Sequence, residues 1–171
     1  MLEIALEADA EWDSSTGEGR NWAALAEAAA AAAIAESRFP ELAASARPVE
    51  LSVRLTSDGQ VRALNSEWRG KDKATNVLSF PLADEAELRS AAADGPELML
   101  GDIVLARGVC AAEADAKAIP LADHAAHLLV HGTLHLLGYD HGNDGEAQDM
   151  EAREVRALAR LGIPDPYAEA A

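Results

Sequence analysis

The chain has 171 residues, a single cysteine and a formal net charge of −16 at pH 7. So acidic a protein is expected to be soluble and is excluded as a non-specific binder of nucleic acid or anionic membrane. The single cysteine, Cys110, excludes an internal disulfide framework and a zinc site made of cysteines alone. We interpret it as a small buried side chain in a reducing, cytoplasmic protein. No segment has the pattern of an export signal or the ~20 apolar residues that span a bilayer.

The spacing of apolar residues divides the chain into strands, with period 2, and helices, with period 3.6. Glycine, proline and polar cap residues give the boundaries. In chain order the sequence predicts a strand over 2–8, a helix over 21–38, a strand over 48–56, a helix over 57–68, a strand over 76–80, a strand over 98–105, and helices over 107–118, 121–137 and 144–161. Because strands come first and helices dominate later, we predict an α+β fold in which a mixed four-stranded sheet packs against helices.

Two segments of this single predicted domain, 1–171, lack the pattern of a packed element. Residues 83–97 are acidic and small and predict a mobile loop, and residues 165–171 predict a flexible tail. Gly101 lies inside a predicted strand, which indicates a bulge or a close approach of another backbone.

The histidines cluster in one part of the sequence, between positions 124 and 141. His124, His127, His131 and His135 are three or four residues apart, so they share one stripe of the predicted helix over 121–137. The rest of that helix is apolar, which predicts a buried central helix. Buried imidazoles need partners, and a satisfied core histidine is the ordinary explanation for any one of them.

A metal site explains three of them together. His131 and His135 are at i and i+4, Gly138 allows the chain to reverse, and His141 follows at i+10, which is the spacing of metzincin proteases. Three neutral histidines leave an open position where a divalent ion can lower the pKa of a bound water to ~7. His127 and His131 are also at i and i+4, but the glycine turn favours the other set.

The protease interpretation meets an obstacle at Gly132, which stands where H-E-x-x-H proteases have their general base. A hydrolase that cuts phosphodiesters with a metal ion and a cationic clamp needs no carboxylate there. The clamp candidate is R-G-K-D-K, at 69–73, within a segment (47–76) whose net charge is +2 from six basic and four acidic residues. Arginine binds phosphate in a bidentate manner, and a solvated surface loop is the alternative for this segment.

These sequences resemble one known family. W-R-G-K-D-K-A-T-N-V-L-S-F-P at 68–81 and H-L-L-V-H-G-T-L-H-L-L-G-Y-D-H at 127–141 are similar to the signatures of the YbeY family, bacterial endoribonucleases of ribosomal RNA maturation. G-D-I at 101–103 and R-L-G-I-P-D-P-Y at 160–167 extend the resemblance, which covers about 48–167. Asn76 stands where an aspartate is frequent in the family.

The resemblance implies a zinc site at His131, His135 and His141, a functional Arg69, and single-strand-specific endoribonuclease activity. That activity would serve the maturation of the 3′ end of small-subunit rRNA and ribosome quality control, with neither DNA nor membrane involved. Because a net charge of −16 discourages binding to free RNA, we expect a ribosomal protein or GTPase as partner. In this hypothesis one Zn²⁺ per chain polarises a phosphate oxygen or activates water, and Arg69 neutralises developing charge. The catalytic residues are then Arg69 and His131, and the substrate contacts are Arg69, Lys71, Lys73, Asn76 and His127.

Two questions stay open at this point: whether the nucleophile is water or the RNA 2′-hydroxyl, and which group is the general base. Asp140 is predicted to orient a ligand histidine. Two other functions compete: a metal-dependent hydrolase of peptides or small phosphoesters, and a non-enzymatic ribosome-associated factor with a structural zinc.

Overall fold

The fold is an α+β arrangement around one sheet. The computed structural model describes residues 1–14, 21–44, 46–90 and 95–168. Within these ranges the elements are β1 (Leu2–Ala8), α1 (Ala10–Ser14), α2 (Trp22–Ala35), a 3-10 turn (Pro40–Ala43), β2 (Val49–Thr56), α3 (Asp58–Arg69), β3 (Val77–Pro81), α4 (Glu85–Arg89), β4 (Leu98–Ala106), α5 (Arg107–Lys117), α6 (Leu121–Leu136) and α7 (Asp144–Arg160). α1, α4 and the 3-10 turn were not predicted.

The four strands form one mixed sheet, as predicted, and their order is β1-β2-β4-β3. β1 pairs with β2 and β2 with β4 in parallel, whereas β3 pairs with β4 in the antiparallel sense. Parallel neighbours need crossover connections, which α2 and α3 help to supply. β3 stands at one end of the strand order and is therefore an edge strand.

The two faces of the sheet are covered unequally. Ile103 and Val104 are consecutive in β4, and they belong to different hydrophobic clusters because side chains of a strand alternate between faces. Ile103 is part of the main core, which β1, β2 and β4 share with α2 and α6. Val104 packs with Val61 of α3 and Leu78 of β3 in a smaller cluster on the other face.

Helix α6 is the buried central helix that the sequence predicts. It packs against α2, α7, β3 and β4. The alanines of α2 are buried beside it, which allows a close approach of the two helices: Ala26, Ala29, Ala30 and Ala33. The alanine-rich segment is therefore a packed helix of the core.

Gly101 in β4 lies at both a bulge and a close approach of another backbone, the two alternatives that the sequence predicts. The β2–β4 register shifts between Glu50 and Leu51, beside Gly101. Gly101 has φ +145°, and a Cβ there would lie 2.3 Å from the Phe80 carbonyl oxygen and 2.8 Å from Leu136 Cδ2. Only glycine allows β3, β4 and α6 to meet at this point.

The segment predicted as a mobile loop contains α4. Asp84 begins this helix with a capping box to Glu87, and Leu88 is buried. Residues 91–94 of the same segment, and 169–171 of the predicted tail, lie outside the described residues. The mobility of both segments stays a prediction.

Within the described ranges, no helix is long and apolar enough to span a bilayer.

Candidate metal centre

Helix α6 and the turn after it bring three histidines together. His131 and His135 occupy successive turns of one face of α6. The helix ends at Leu136, and Gly138 adopts φ +95°, a left-handed conformation that reverses the chain. The Tyr139 amide then donates to the Leu134 carbonyl at 3.0 Å, and His141 returns to the face that carries the other two rings.

The geometry of the three imidazoles fits one metal ion. One ring nitrogen from each of His131, His135 and His141 lies within 4.8 Å of the other two. The ring centroids are 4.7 Å (131–135), 5.3 Å (135–141) and 5.8 Å (131–141) apart. Nitrogens that share an ion at ~2.1 Å can be at most ~4.2 Å apart, so small ring rotations suffice. His131 and His135 are half-buried and His141 is exposed, which leaves the centre open to a substrate.

A buried carboxylate that the sequence analysis missed holds His131 in place. Glu154 of α7 is fully buried, and its Oε1 accepts a hydrogen bond from His131 Nδ1. This bond uses Nδ1, so Nε2 is the nitrogen of His131 that can bind an ion. The other oxygen, Oε2, accepts from the Tyr167 hydroxyl and from His127 Nε2, the latter at 3.2 Å. Carboxylate–histidine–metal chains of this kind fix the tautomer and orientation of a ligand.

The ionisation state of Glu154 suits this role. Burial raises its pKa, but the hydrogen bonds from His127 and His131 outweigh burial and lower the pKa to about 2. Glu154 is therefore a carboxylate that accepts from both histidines at neutral pH. A sequence signal existed: in an otherwise charged helix, Glu154 lies on the same stripe as the buried residues Met150, Ala157 and Leu158.

We expect Glu154→Gln to weaken metal binding about 10- to 100-fold, the usual cost of losing such a partner. The amide has one acceptor oxygen where the carboxylate has two, so one histidine loses its orienting bond. Competition titration with a chromophoric chelator would measure the affinity. Glu151→Gln, an exposed position on the same helix, is the matched control. Equal affinities for the two variants would contradict the role given to Glu154.

The ring of His135 is neutral at neutral pH. Burial, and next the charges of His131 and His141, lower its pKa from 6.5 to about 4. The ring therefore needs no deprotonation before it binds an ion at neutral pH.

This pKa makes the stability of the metal-free protein depend on pH. The folded pKa of His135, about 4, lies below the unfolded value of 6.5, so between these limits the unfolded chain binds more protons. The free energy of unfolding therefore falls as pH drops from about 6.5 to 4, and the Glu154 carboxylate adds a second loss as pH falls below 4.5. Thermal melting of chelator-treated protein from pH 8 to 4 would measure it. His135→Gln should show a shallower fall between pH 6.5 and 4.5, and identical curves would contradict this assignment.

The other two histidines of the stripe have protein partners. His127 is buried against Glu154 and Tyr167. His124 Nε2 lies 2.9 Å from Glu113 Oε1, and the same oxygen accepts from Asn76 Nδ2 at 3.0 Å. Asn76 Oδ1 accepts from the backbone amide of Val77 at 2.7 Å. The side chain of Asn76 thus ties the start of β3 to α5.

Asp140 shapes the turn that carries His141, because its Oδ1 accepts from the backbone amide of His141 at 2.8 Å. Orientation of a histidine ring by Asp140 stays a prediction. The carboxylate that bonds to the ring of His131 is that of Glu154.

The predicted clamp, residues 69–73, lies at the end of α3, and we call it the cationic loop. Arg69 is the last residue of the helix, and Gly70 ends it in a left-handed conformation. Asp72 is engaged by Arg62 of α3, with Nε–Oδ1 at 2.8 Å. Among the described residues no hydrogen bond or ion pair engages the side chains of Arg69, Lys71 or Lys73, and none joins them to the histidine cluster. Three exposed cations are thus available to an anion.

Gly132 lies where α6 contacts the sheet. A Cβ at Gly132 would lie 3.0–3.2 Å from three side-chain carbons of Ile103 in β4. A larger side chain at this position would therefore require Ile103 to shift by a few tenths of an ångström.

Known proteins with similar sequences share one description. The family described as Endoribonuclease YbeY matches residues 9–162. A relative from Sphingopyxis alaskensis, named Endoribonuclease YbeY, is 53% identical over 170 residues and 99% of each chain. Relatives of the same name from Rhizorhabdus wittichii and Erythrobacter litoralis are 49% and 50% identical over 98% of each chain. The solution structure of TM1509 from Thermotoga maritima has a similar fold, with a TM-score of 0.53 at 20% identity over 99% of this chain and all of that one.

Proposed function

This chain belongs to the YbeY family of endoribonucleases, and from this premise we propose that it is a metal-dependent enzyme that cleaves single-stranded RNA during maturation of the small-subunit rRNA 3′ end. The observation that carries the proposal is the three-histidine cluster, with His131 oriented by a buried carboxylate. The proposed catalytic domain is the whole chain, 1–171.

One Zn²⁺ per chain is the proposed cofactor, held by His131, His135 and His141. Three neutral imidazoles in a half-open site are the donor set of a catalytic zinc. When bound, the ion supplies a Lewis acid for a phosphate oxygen and acidifies a water. Glu154 keeps His131 in the tautomer that presents Nε2, and the buried position of His135 keeps that ring neutral.

The cationic loop supplies the proposed clamp on the RNA backbone. Arg69 makes bidentate bonds to the phosphate and stabilises the charge that develops on it, and Lys71 and Lys73 attract the neighbouring phosphates. Asp72 does not cancel these charges because Arg62 already engages it. At a net charge of −16, the acidic surface of the rest of the protein repels RNA, which favours binding of the RNA backbone at this loop.

Asn76 and His127 differ from the cationic side chains because protein groups already bond to them. The side chains of both are engaged by protein groups, His127 by Glu154 and Asn76 by Glu113. In the proposal they position their neighbours, and direct contact of either with the substrate stays a prediction from the sequence.

The competing functions receive less support. A zincin protease needs a carboxylate at position 132, where this chain has glycine in tight contact with Ile103. A purely structural metal would need no opening, yet His141 is exposed. The names of the relatives favour the endoribonuclease. A ribosomal protein or GTPase that delivers the enzyme to the ribosome is part of the proposal.

Cleavage of a single-stranded RNA with the sequence of the small-subunit rRNA 3′ end tests this function. We expect cutting that stops with chelator, returns with Zn²⁺, and is absent on the same sequence in a duplex. Fluorogenic peptides should stay intact. Cleavage that is indifferent to chelator would contradict the proposal.

A further inference from the structure

A cavity of about 550 Å³ lies on the α3 side of the sheet, away from the main core. This volume is within the range of ligand pockets in proteins, ~300–1,000 Å³. Strand residues form its floor and α3 forms one wall through Leu64 and Trp68. We name this space the sheet cavity. Its lining residues include Glu7, Ser52, Arg54, Trp68, Phe80 and Asp102.

Trp68 is a large aromatic side chain that the fold does not bury. It is 67% exposed, whereas Trp12 and Trp22 are 0% and 3% exposed and part of the main core. It occupies the last turn of α3, one residue before Arg69. An aromatic plane beside an unpaired arginine is the pairing with which proteins hold a nucleobase and its phosphate.

The floor of the sheet cavity carries polar side chains that lack protein partners. Ser52 lies opposite Asp102 in the β2–β4 register, and Arg54 lies opposite Glu7 in the β1–β2 register. Among the described residues, no hydrogen bond or ion pair engages the side chains of Ser52, Arg54 or Asp102, although all three are half-buried. They offer both donors and acceptors to a ligand that fits between them.

The charges separate the parts of a nucleotide. The two acids of the lining, Glu7 and Asp102, outnumber its one cation, Arg54, so the net charge of the cavity is unfavourable for phosphate. Arg69, Lys71 and Lys73 follow directly after Trp68 in the sequence. A neutral base therefore suits the interior, and its phosphate suits the loop.

We propose that the sheet cavity binds an unpaired nucleobase of the RNA substrate, stacked on Trp68, while Arg69 holds the adjoining phosphate. The proposal rests on the endoribonuclease function above and adds a base-binding subsite to it. β3 connects the two places: Phe80 lines the cavity on one face of this edge strand, and α6 packs against β3 on the side of the main core. In this proposal the RNA strand crosses the edge of β3 between the cavity and the histidine cluster.

The test is a double-mutant cycle that measures four RNA affinities, with and without the Trp68 side chain and with and without the bases of the strand. The metal-loaded protein and Trp68→Ala are each titrated with a 2′-O-methylated single-stranded oligonucleotide and with the same strand carrying abasic positions. We expect Trp68→Ala to bind the intact strand about 5- to 150-fold more weakly, the cost of one lost base–aromatic stack. Both proteins should bind the abasic strand equally. Trp68→Phe should retain most of the affinity, and the intact strand should quench the fluorescence of the parent but not of Trp68→Ala.

Three results would overturn the proposal. If Trp68→Ala weakens both strands equally, Trp68 acts only through Arg69 and no base is bound. If it binds and cleaves RNA like the parent, the cavity serves another ligand, such as a partner protein, and the endoribonuclease function stands. If the parent protein neither binds nor cleaves RNA, the subsite and the proposed function both fail.

Discussion

Replacing His135 with alanine is expected to reduce the metal content from one ion per chain to near zero and RNA cleavage to background. The substitution removes one of three ligands and leaves a pair of imidazoles, which cannot enclose an ion. Metal analysis after gel filtration gives the content, and cleavage of single-stranded RNA gives the rate. The ring is half-buried, so its loss need not unfold the domain.

His124→Gln is the matched control for metal content, because His124 lies on the same helix but bonds to Glu113. This variant should retain one ion per chain. If His135→Ala kept a full complement of metal, the ion would be held elsewhere. If it lost the metal but cleaved at the parental rate, the metal would be structural.

Arg69→Ala is expected to lower kcat/KM for RNA cleavage about 100- to 1,000-fold while the metal content stays at one per chain. This is the usual cost of removing one group that stabilises charge in a transition state. The side chain is exposed and engages no described residue, so the fold should keep its stability. Single-turnover cleavage with and without chelator would separate enzyme activity from a contaminating nuclease.

Two further variants identify the reason for the loss. Arg89→Ala removes the same charge from an exposed arginine that pairs with Glu85, and it should cleave at the parental rate. Arg69→Lys keeps the charge but not the bidentate geometry, so it should recover only part of the activity. If Arg69→Ala cleaved at the parental rate, Arg69 would have no role in catalysis. If Arg69→Lys recovered the full rate, only the charge of Arg69 would matter.

The fold was largely predictable because its elements have strong periodic patterns. Alternating apolar residues in β1 and β2 and the apolar circumference of α6 gave the correct element types, with boundaries within a few residues. The short elements were missed since five residues, as in α1 and α4, complete little more than one helical turn. Their burial depends on neighbours that are distant in sequence.

The metal ligands could be proposed from sequence because their geometry is local. Helical spacing places His131 beside His135, and one glycine turn returns His141. Glu154 could not be proposed in this way, since 23 residues and a turn separate it from His131. Its contact exists only because α7 packs on α6.

The sequence by itself determined the strands, the helices and the three histidines, since these follow from interactions within a few residues of chain. The tertiary structure decided which acid contacts His131, that position 132 lies tightly against Ile103, and that Trp68 lies on the wall of a cavity. These features depend on helices that pack against one sheet, and contacts between elements distant in sequence are set by the complete packing and not by local pattern.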